Sequence, residues 1–326
     1  MKYSLNEITK MTTRNSCHHT IRVLNFFELI DFSSSWSQSH TQMPTPYLHN
    51  EKISVLYTTR DSNGVSRIAV KDIDFDLKTI NSLNYQAPIL DIGLSGAFDQ
   101  HGVMCSSILK TQNEYFMYYI GWNTDTEYPY SLSIGLATSE NWNSGFTKVS
   151  HEPVIKSSFD SGMFSTTPFV WNESENFNIL YSKGKPWVKI DGKYESRYGI
   201  ASATSQNGRD WIANPRSNPT VLDEDSSYAR PVMVDVQGLS HIVYSIRSNK
   251  DFRTGGGAYR IRMSRIISDS EWIDCTIEFE QNSLFKKHLS KMQCYAYPLK
   301  LNGRTLIFLN GDSFGKFGFA VAEVLP

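Results

Sequence analysis

The sequence is short of almost everything that advertises a familiar chemistry. Its 326 residues hold no glycine-rich dinucleotide fingerprint, no P-loop, no His-Glu-x-x-His helix and no nucleophile elbow. Cysteine is scarce: Cys17, Cys105, Cys275 and Cys294 show neither a C-x-x-C pair nor zinc-finger spacing, and read as reduced, mostly buried thiols. No cofactor and no metal are expected. His18-His19 beside Cys17 comes nearest to a ligand group, but it falls in what reads as an N-terminal arm. Neither sign of charge is in excess, with 32 Lys+Arg against 33 Asp+Glu. No basic stripe awaits a phosphate backbone, so no nucleic-acid partner is expected.

Long apolar runs are missing too. The stretch 21–30 is too short to span a bilayer and is broken by Arg22, Asn25 and Glu28. The N-terminus has no apolar segment followed by a small-residue cleavage site. The expectation is therefore a cytoplasmic protein without a membrane span. No linker rich in Pro, Gly or Ser divides the chain. Helical periodicity is weak everywhere, with Ser283–Lys291 the best stretch.

What the sequence does have is aromatic residues and a beat. Phe, Trp and Tyr make up 13%, which suits strands, where flat rings pack on a pleated surface. Five apolar-aromatic runs end at Tyr57, Tyr119, Tyr181, Tyr244 and Phe308, separated by 62, 62, 63 and 64 residues. The same grammar surrounds each run. A short apolar strand and a turn come before it (His49-Asn50, Gln112-Asn113, Asn172-Glu173, Gln237-Gly238, Asn302-Gly303). A polar loop and a third strand follow, and in three units a tryptophan (Trp142, Trp211, Trp272) is expected to start a fourth.

Repeats of this length with four strands each predict an all-β fold, a five-bladed β-propeller with four antiparallel strands per blade. Residues 1–326 are read as one domain, with 1–20 as an N-terminal arm. Only three strands fit between Tyr295 and Pro326, so Ile21–Phe27 is expected to supply the last outer strand and close the ring.

In such a ring the innermost strands run beside one axis, and their leading ends converge on one cavity. That geometry nominates His40 and Gln42 from blade one, Asp99 and His101 from blade two, and Thr166 from blade three. Blade four brings Asp225 and Arg230; blade five brings Lys291, Gln293 and Tyr295. The rim draws on Arg60, Trp122, Asn123, Arg197, Arg247 and Arg253. Carboxylates, cations and rings in one cleft suit a sugar, with Asp99 and Asp225 as the catalytic candidates. Each also has a plainer reading: Asp99 as a turn cap, Arg230 as half of a salt bridge between blades.

Phe98-Asp-Gln-His-Gly-Val-Met104 and Tyr115-Phe-Met-Tyr-Tyr-Ile-Gly-Trp-Asn123 resemble the second blade of a glycosidase-like group. That group is related to glycoside hydrolase families 32, 43, 68 and 130. The resemblance continues through Ser39–Pro46, Ala229-Arg-Pro231, Asp251-Phe-Arg253, Met292-Gln-Cys-Tyr295 and Asn310-Gly311, and covers about residues 36 to 324. It implies a five-bladed propeller with an axial sugar site and a link to surface-polysaccharide synthesis. Asp99 falls on the family's second-blade acid, and Asp225 lies near the place of an acid ahead of Ala-Arg-Pro. Other positions depart from the pattern: His40-Thr-Gln42 stands where the hydrolases carry an aspartate, Lys291 where a glutamate is expected, and Cys105 where a proline is expected.

Three readings follow. One is a glycoside hydrolase-like enzyme that cleaves or transfers a glycosyl group with Asp99 and Asp225. Another is a glycosyl- or phospho-transfer enzyme using a nucleotide-activated sugar held by Arg230, Arg247, Arg253 and Lys291. The third is a glycan-binding propeller without catalysis. The partner in each is a sugar or glycoconjugate.

Overall fold

The computed structural model describes residues 17–28, 34–49, 51–78, 80–81, 87–173, 175–214, 225–253, 255–268 and 271–326. The first sixteen residues of the expected arm, Asn50 of the first turn and residues 269–270 lie outside them.

Strand β1 (His18–Glu28) finds its partners at the far end of the chain. After it, antiparallel neighbours come in runs. β2 (Ser39–His49), β3 (Lys52–Arg60), β4 (Ser66–Ile73) and β5 (Ile80–Asn81) pair in order. So do β6 (Gly102–Lys110), β7 (Tyr115–Asn123), β8 (Ser131–Ser139) and β9 (Thr147–Lys148). A third run holds β10 (Ser165–Glu173), β11 (Asn176–Ile190), β12 (Lys193–Ser205) and β13 (Ile212–Ala213). A fourth holds β14 (Ser226–Val236), β15 (Leu239–Ser248), β16 (Arg260–Ser268) and β17 (Glu271–Phe279). The last comprises β18 (Cys294–Leu301), β19 (Arg304–Asn310) and β20 (Gly318–Leu325), and β1 lies antiparallel beside β20 as its outer strand. The one described α-helix, α1 (Ser283–His288), precedes β18 and is capped by Asn282, which accepts from the Phe285 N–H.

Turn chemistry sets these registers. Gln237-Gly238 and Asn302-Gly303 both have positive φ at the two central residues, and pair Val236 with Leu239 and Leu301 with Arg304. Two-residue turns of that hand match the twist of the strands they join. Faces of successive groups then stack. Phe116, Tyr118, Ile134 and Leu136 of the second group pack on Val170, Ile179 and Tyr181 of the third. This explains why β7 is buried along most of its length and reads as a continuous apolar run.

The first strands touch in turn: β2 meets β6, β6 meets β10, β10 meets β14, β14 meets β18, and β18 returns to β2. Each carries a register irregularity, between Gln42 and Thr45, Cys105 and Ser107, Thr166 and Phe169, Ala229 and Val232, and Cys294 and Tyr297. Inside four of these, Met43, Thr167, Arg230 and Tyr295 have positive φ. Proline follows three of them (Pro44, Pro168, Pro231). An extra residue in a strand leaves a backbone N–H out of the ladder, so proline loses nothing there, and the bend re-aims side chains toward the ring's centre.

Three expectations need correction. Trp272 lies in β17, but Trp211 only precedes β13 and Trp142 sits in a short 3-10 turn before β9, stacked on Tyr47 at 5.0 Å. β1 begins at His18, so His18 and His19, read from the sequence as part of an arm, belong to a strand. Cysteines are not all reduced: Cys17 and Cys275 form a disulfide across 258 residues. Spacing could not signal it, because only the parallel pairing of β1 with β17, His18 opposite Thr276, brings the two together. Cys105 and Cys294 are free and buried, and burial pushes the Cys105 thiol up to about 11. Among the described residues no helix is long and apolar enough to cross a membrane.

Candidate functional site

The bulged first strands and the ends of the strands beside them enclose a cavity of about 470 Å³. Aromatic rings form a large part of its wall. Trp122 lies 4.6 Å from Tyr130, Tyr130 lies 5.4 Å from Phe164, and Phe164 stacks on Tyr198 at 5.8 Å. Across from them Tyr259 lies 5.5 Å from Tyr295 and 6.0 Å from Phe314. The two arcs meet where the Tyr198 and Tyr259 hydroxyls hydrogen-bond each other.

Arg247 holds that junction from behind. It is 2% exposed, and its Nε donates to Tyr198 at 3.0 Å and Tyr259 at 3.2 Å. Its other nitrogens donate to the Ser196 and Ser248 carbonyls, and its guanidinium lies over the Phe252 ring at 3.7 Å. The charge is therefore spent on orienting two phenols and does not reach the cavity.

The polar wall comes largely from the first group. Arg60 donates to the Gln42 side-chain carbonyl at 2.8 Å, which fixes the plane of its guanidinium. Among the described residues no carboxylate lies within ion-pair distance of Arg60, and burial pulls it below its ordinary value. His40, at φ 67°, bonds Ser39 through Nδ1 at 2.9 Å. Burial, helped by the Arg60 and Lys316 charges, pushes its imidazole down to about 4, so it is neutral around pH 7. Thr166, Thr167, Ser313 and Arg253 add to the polar lining, Arg253 in a two-pronged pair with Glu195 at 2.7 and 3.1 Å.

The nominated residues thus divide. His40, Gln42, Arg60, Trp122, Thr166, Arg253 and Tyr295 line the cavity. Asp99 does not. It is 1% exposed, meets the Lys148 ammonium at 2.6 Å and accepts from the Tyr119 hydroxyl at 2.9 Å. A methyl group on Gly121 would run into Phe98 and the Asp99 methylene, so that glycine lets the acid sit against the β7 backbone. Asp225 is exposed ahead of β14, and its backbone carbonyl accepts from Asn249.

The remaining candidates serve the frame. Arg230 is fully buried and donates to the Tyr295 carbonyl at 2.7 Å and the Thr45 hydroxyl at 2.6 Å, so it ties three groups together through neutral oxygens and not through a salt bridge. Burial pulls it down to about 10. Gln293 donates to the Leu289 carbonyl, and Arg197 to the Pro186 carbonyl at 3.3 Å. The exposed Lys291 uses its backbone N–H on Asp312. His101 accepts from the Thr124 N–H, and Asn123 from the Asp125 N–H, both outside the wall.

No family model matches the chain. Two uncharacterized proteins of Mycobacterium tuberculosis, from strains CDC 1551 / Oshkosh and ATCC 25618 / H37Rv, are each 25% identical over 299 residues, covering 88% of this chain and 93% of theirs. Among solved structures, a complex of BT0996 with RGII superposes with a TM-score of 0.67 at 12% identity, covering 100% of this chain and 96% of that one. The Bombyx mori GH32 β-fructofuranosidase BmSUC1, in complex with sucrose, gives 0.59 at 14% identity over 90% of this chain and 62% of its own. A GH130 structure described among mannoside phosphorylases and hydrolases of β-1,2 mannosidic linkages gives 0.58 at 17% identity over 92% and 90%. The fold is that of the glycosidase-like propellers. At these identities the likeness concerns the fold alone.

The glycosidase-like motif made Asp99 conspicuous, but its partner Lys148 comes from a two-residue strand that no sequence pattern marks. Conversely, Tyr130, Tyr198, Tyr259 and Phe314 line the cavity without any motif to mark them, and Phe252 does so from within Asp251-Phe-Arg253 without having been singled out. Tyr198, within β12, and Tyr259, just ahead of β16, are 61 residues apart, close to the length of the repeat, and that spacing is the signal that could have found them.

Proposed function

We propose that the chain is a single-domain five-bladed propeller, each four-stranded group one blade, that binds an anionic glycan in its axial cavity. The observation that carries this reading is a guanidinium, Arg60, set in an aromatic wall with, among the described residues, only the neutral Gln42 bonded to it. Ring faces pack against the C–H surface of a sugar, and a few placed polar groups select its hydroxyls. A carboxylate or phosphate on that sugar would give Arg60 a charge-assisted, two-pronged partner. Neutral His40 would offer a ring nitrogen to a hydroxyl.

Cleavage by the usual glycosidase route needs two carboxyl groups flanking the scissile bond. Asp99 is committed to Lys148 and Tyr119, so this reading gives it a structural role. A second reading, transfer from a nucleotide-activated sugar, draws on the same cations, Arg60 and Arg253, which would also suit a diphosphate.

Titration calorimetry with neutral oligosaccharides, uronate-containing oligosaccharides and nucleotide sugars tests these readings. The uronate-containing set should bind. Arg60→Gln should weaken it by roughly tenfold or more, the loss of a hydrogen-bonded charge of about 1.5–3 kcal/mol. Equal binding of neutral sugars, or affinity unchanged in Arg60→Gln, would overturn the proposal. Exclusive binding of nucleotide sugars would favour transfer.

A further inference from the structure

Away from the cavity, four side chains of metal-ligand type meet where β1 closes against the fourth group. Cys17, immediately ahead of β1, and His19, within it, sit two residues apart on extended backbone and so share one side. His241 comes from β15 and Cys275 from β17. All four are buried, and their ligand atoms lie within 4.8 Å of one another. The Nε2 atoms of His19 and His241 are 3.3 Å apart, and Cys17 Sγ lies 3.4 Å from the first and 3.7 Å from the second.

The other ring nitrogens point to the tautomers. His19 Nδ1 donates to the Leu325 carbonyl at 3.2 Å, and His241 Nδ1 to the Leu239 carbonyl at 2.9 Å. An imidazole that gives its proton to a carbonyl at Nδ1 keeps a lone pair at Nε2. Two lone pairs therefore face each other beside a disulfide sulfur that also has no proton to give. These atoms contain no donor, and buried acceptors left in that state are costly. Orienting carbonyls behind each ring are how proteins commonly aim histidines at a metal.

The spacing and the Cys2His2 ligand set suit zinc. Zinc bonds nitrogen at about 2.0–2.1 Å and sulfur at about 2.3 Å, so tetrahedral angles put two nitrogens roughly 3.3 Å apart and sulfur and nitrogen roughly 3.5 Å apart. We propose that in the reduced protein Cys17, His19, His241 and Cys275 form a tetrahedral zinc site that staples the ring-closing strand to the fourth group. The disulfide is the metal-free, oxidised alternative. A dithiol reductant supplies two electrons and two protons, leaves as its own disulfide, and frees both thiols. Zinc then displaces the two thiol protons and forms two Zn–S and two Zn–N bonds. A shared proton between the imidazoles is the competing occupant. That occupant would leave the sulfurs unused. With four protein ligands the site has no open position, so its role is structural.

The test is metal analysis of the full chain purified under a dithiol reductant, followed by exchange of zinc for cobalt(II). One zinc per chain is expected, and the cobalt form should show the visible bands of a tetrahedral thiolate site. His19→Gln and His241→Gln should each lose the metal and yet still form the Cys17–Cys275 disulfide on oxidation, which mass spectrometry reports independently. His18→Gln, on the solvent side, should keep the metal. If a glutamine variant fails to fold, His241→Cys should retain one zinc with a shifted cobalt spectrum. A reduced chain with all thiols free and no metal would overturn the proposal, as would zinc retained in both glutamine variants.

Discussion

Changing Asp99 to asparagine removes one charge from a buried ion pair, and the consequences can be worked out from the structure. The carboxylate is 1% exposed and the Lys148 side chain 18% exposed. Breaking a buried pair by deleting one partner destabilises by about 3–5 kcal/mol, because the other charge is left without compensation. Lys148 is nearer the surface and can turn toward water, which places the expected loss near the lower end, about 3 kcal/mol. In a domain of this size that corresponds to a fall in Tm of roughly 5 °C. Lys148→Met alone should do at least as much damage, since it strands the more deeply buried group. The double variant should be no less stable than either single, giving a coupling of about 3 kcal/mol in a mutant cycle. Urea unfolding followed by circular dichroism measures the stabilities, and calorimetry on the same samples measures glycan binding, which should be unchanged in Asp99→Asn. A variant with wild-type stability that has lost a glycosidase activity would refute the reasoning and return Asp99 to the chemistry.

Three other expectations follow from particular contacts. Trp122→Ala removes a ring from the cavity wall and should weaken glycan binding by about 2 kcal/mol, roughly thirtyfold, in the same calorimetric assay; unchanged affinity would remove Trp122 from the site. His40 titrates at about 4 in the fold against about 6.5 unfolded, so as the pH falls the unfolded chain takes up the proton first. Its stabilising contribution is whole above about pH 6.5 and is lost as pH falls toward 4, and His40→Gln should flatten that part of the stability–pH curve relative to wild type. Removing residues 1–28 deletes β1 and bares the edge of β20, so the truncated chain should unfold at markedly lower urea; an unaltered midpoint would mean another segment closes the ring.

The architecture was legible because its signal is local and repeated. Each unit carries its own apolar strands and turn residues, and the aromatic ends at Tyr57, Tyr119 and Tyr181 keep time. The bulges keep the same time, at Met43, Cys105, Thr167, Arg230 and Tyr295, and their prolines could have been read as well. The site was only half legible. Strand position foretold that His40, Gln42 and Trp122 face the cavity, but it cannot say which way a charged side chain turns at a crowded axis. Arg230 turned inward to bind a carbonyl and a hydroxyl, and Asp99 turned to Lys148, because a partner lay within reach in each case. The Cys17–Cys275 contact lies deeper still, since it exists only once the two ends of the chain have met.

A crystal structure of the protein soaked with a uronate-containing oligosaccharide would show whether the axial cavity takes an anionic glycan. The sugar acid should lie on the Arg60 guanidinium, with a ring face over Trp122 and Tyr130 and Asp99 still on Lys148. Sugar bound away from the cavity, or Asp99 swung from Lys148 to a glycosidic oxygen, would contradict that reading.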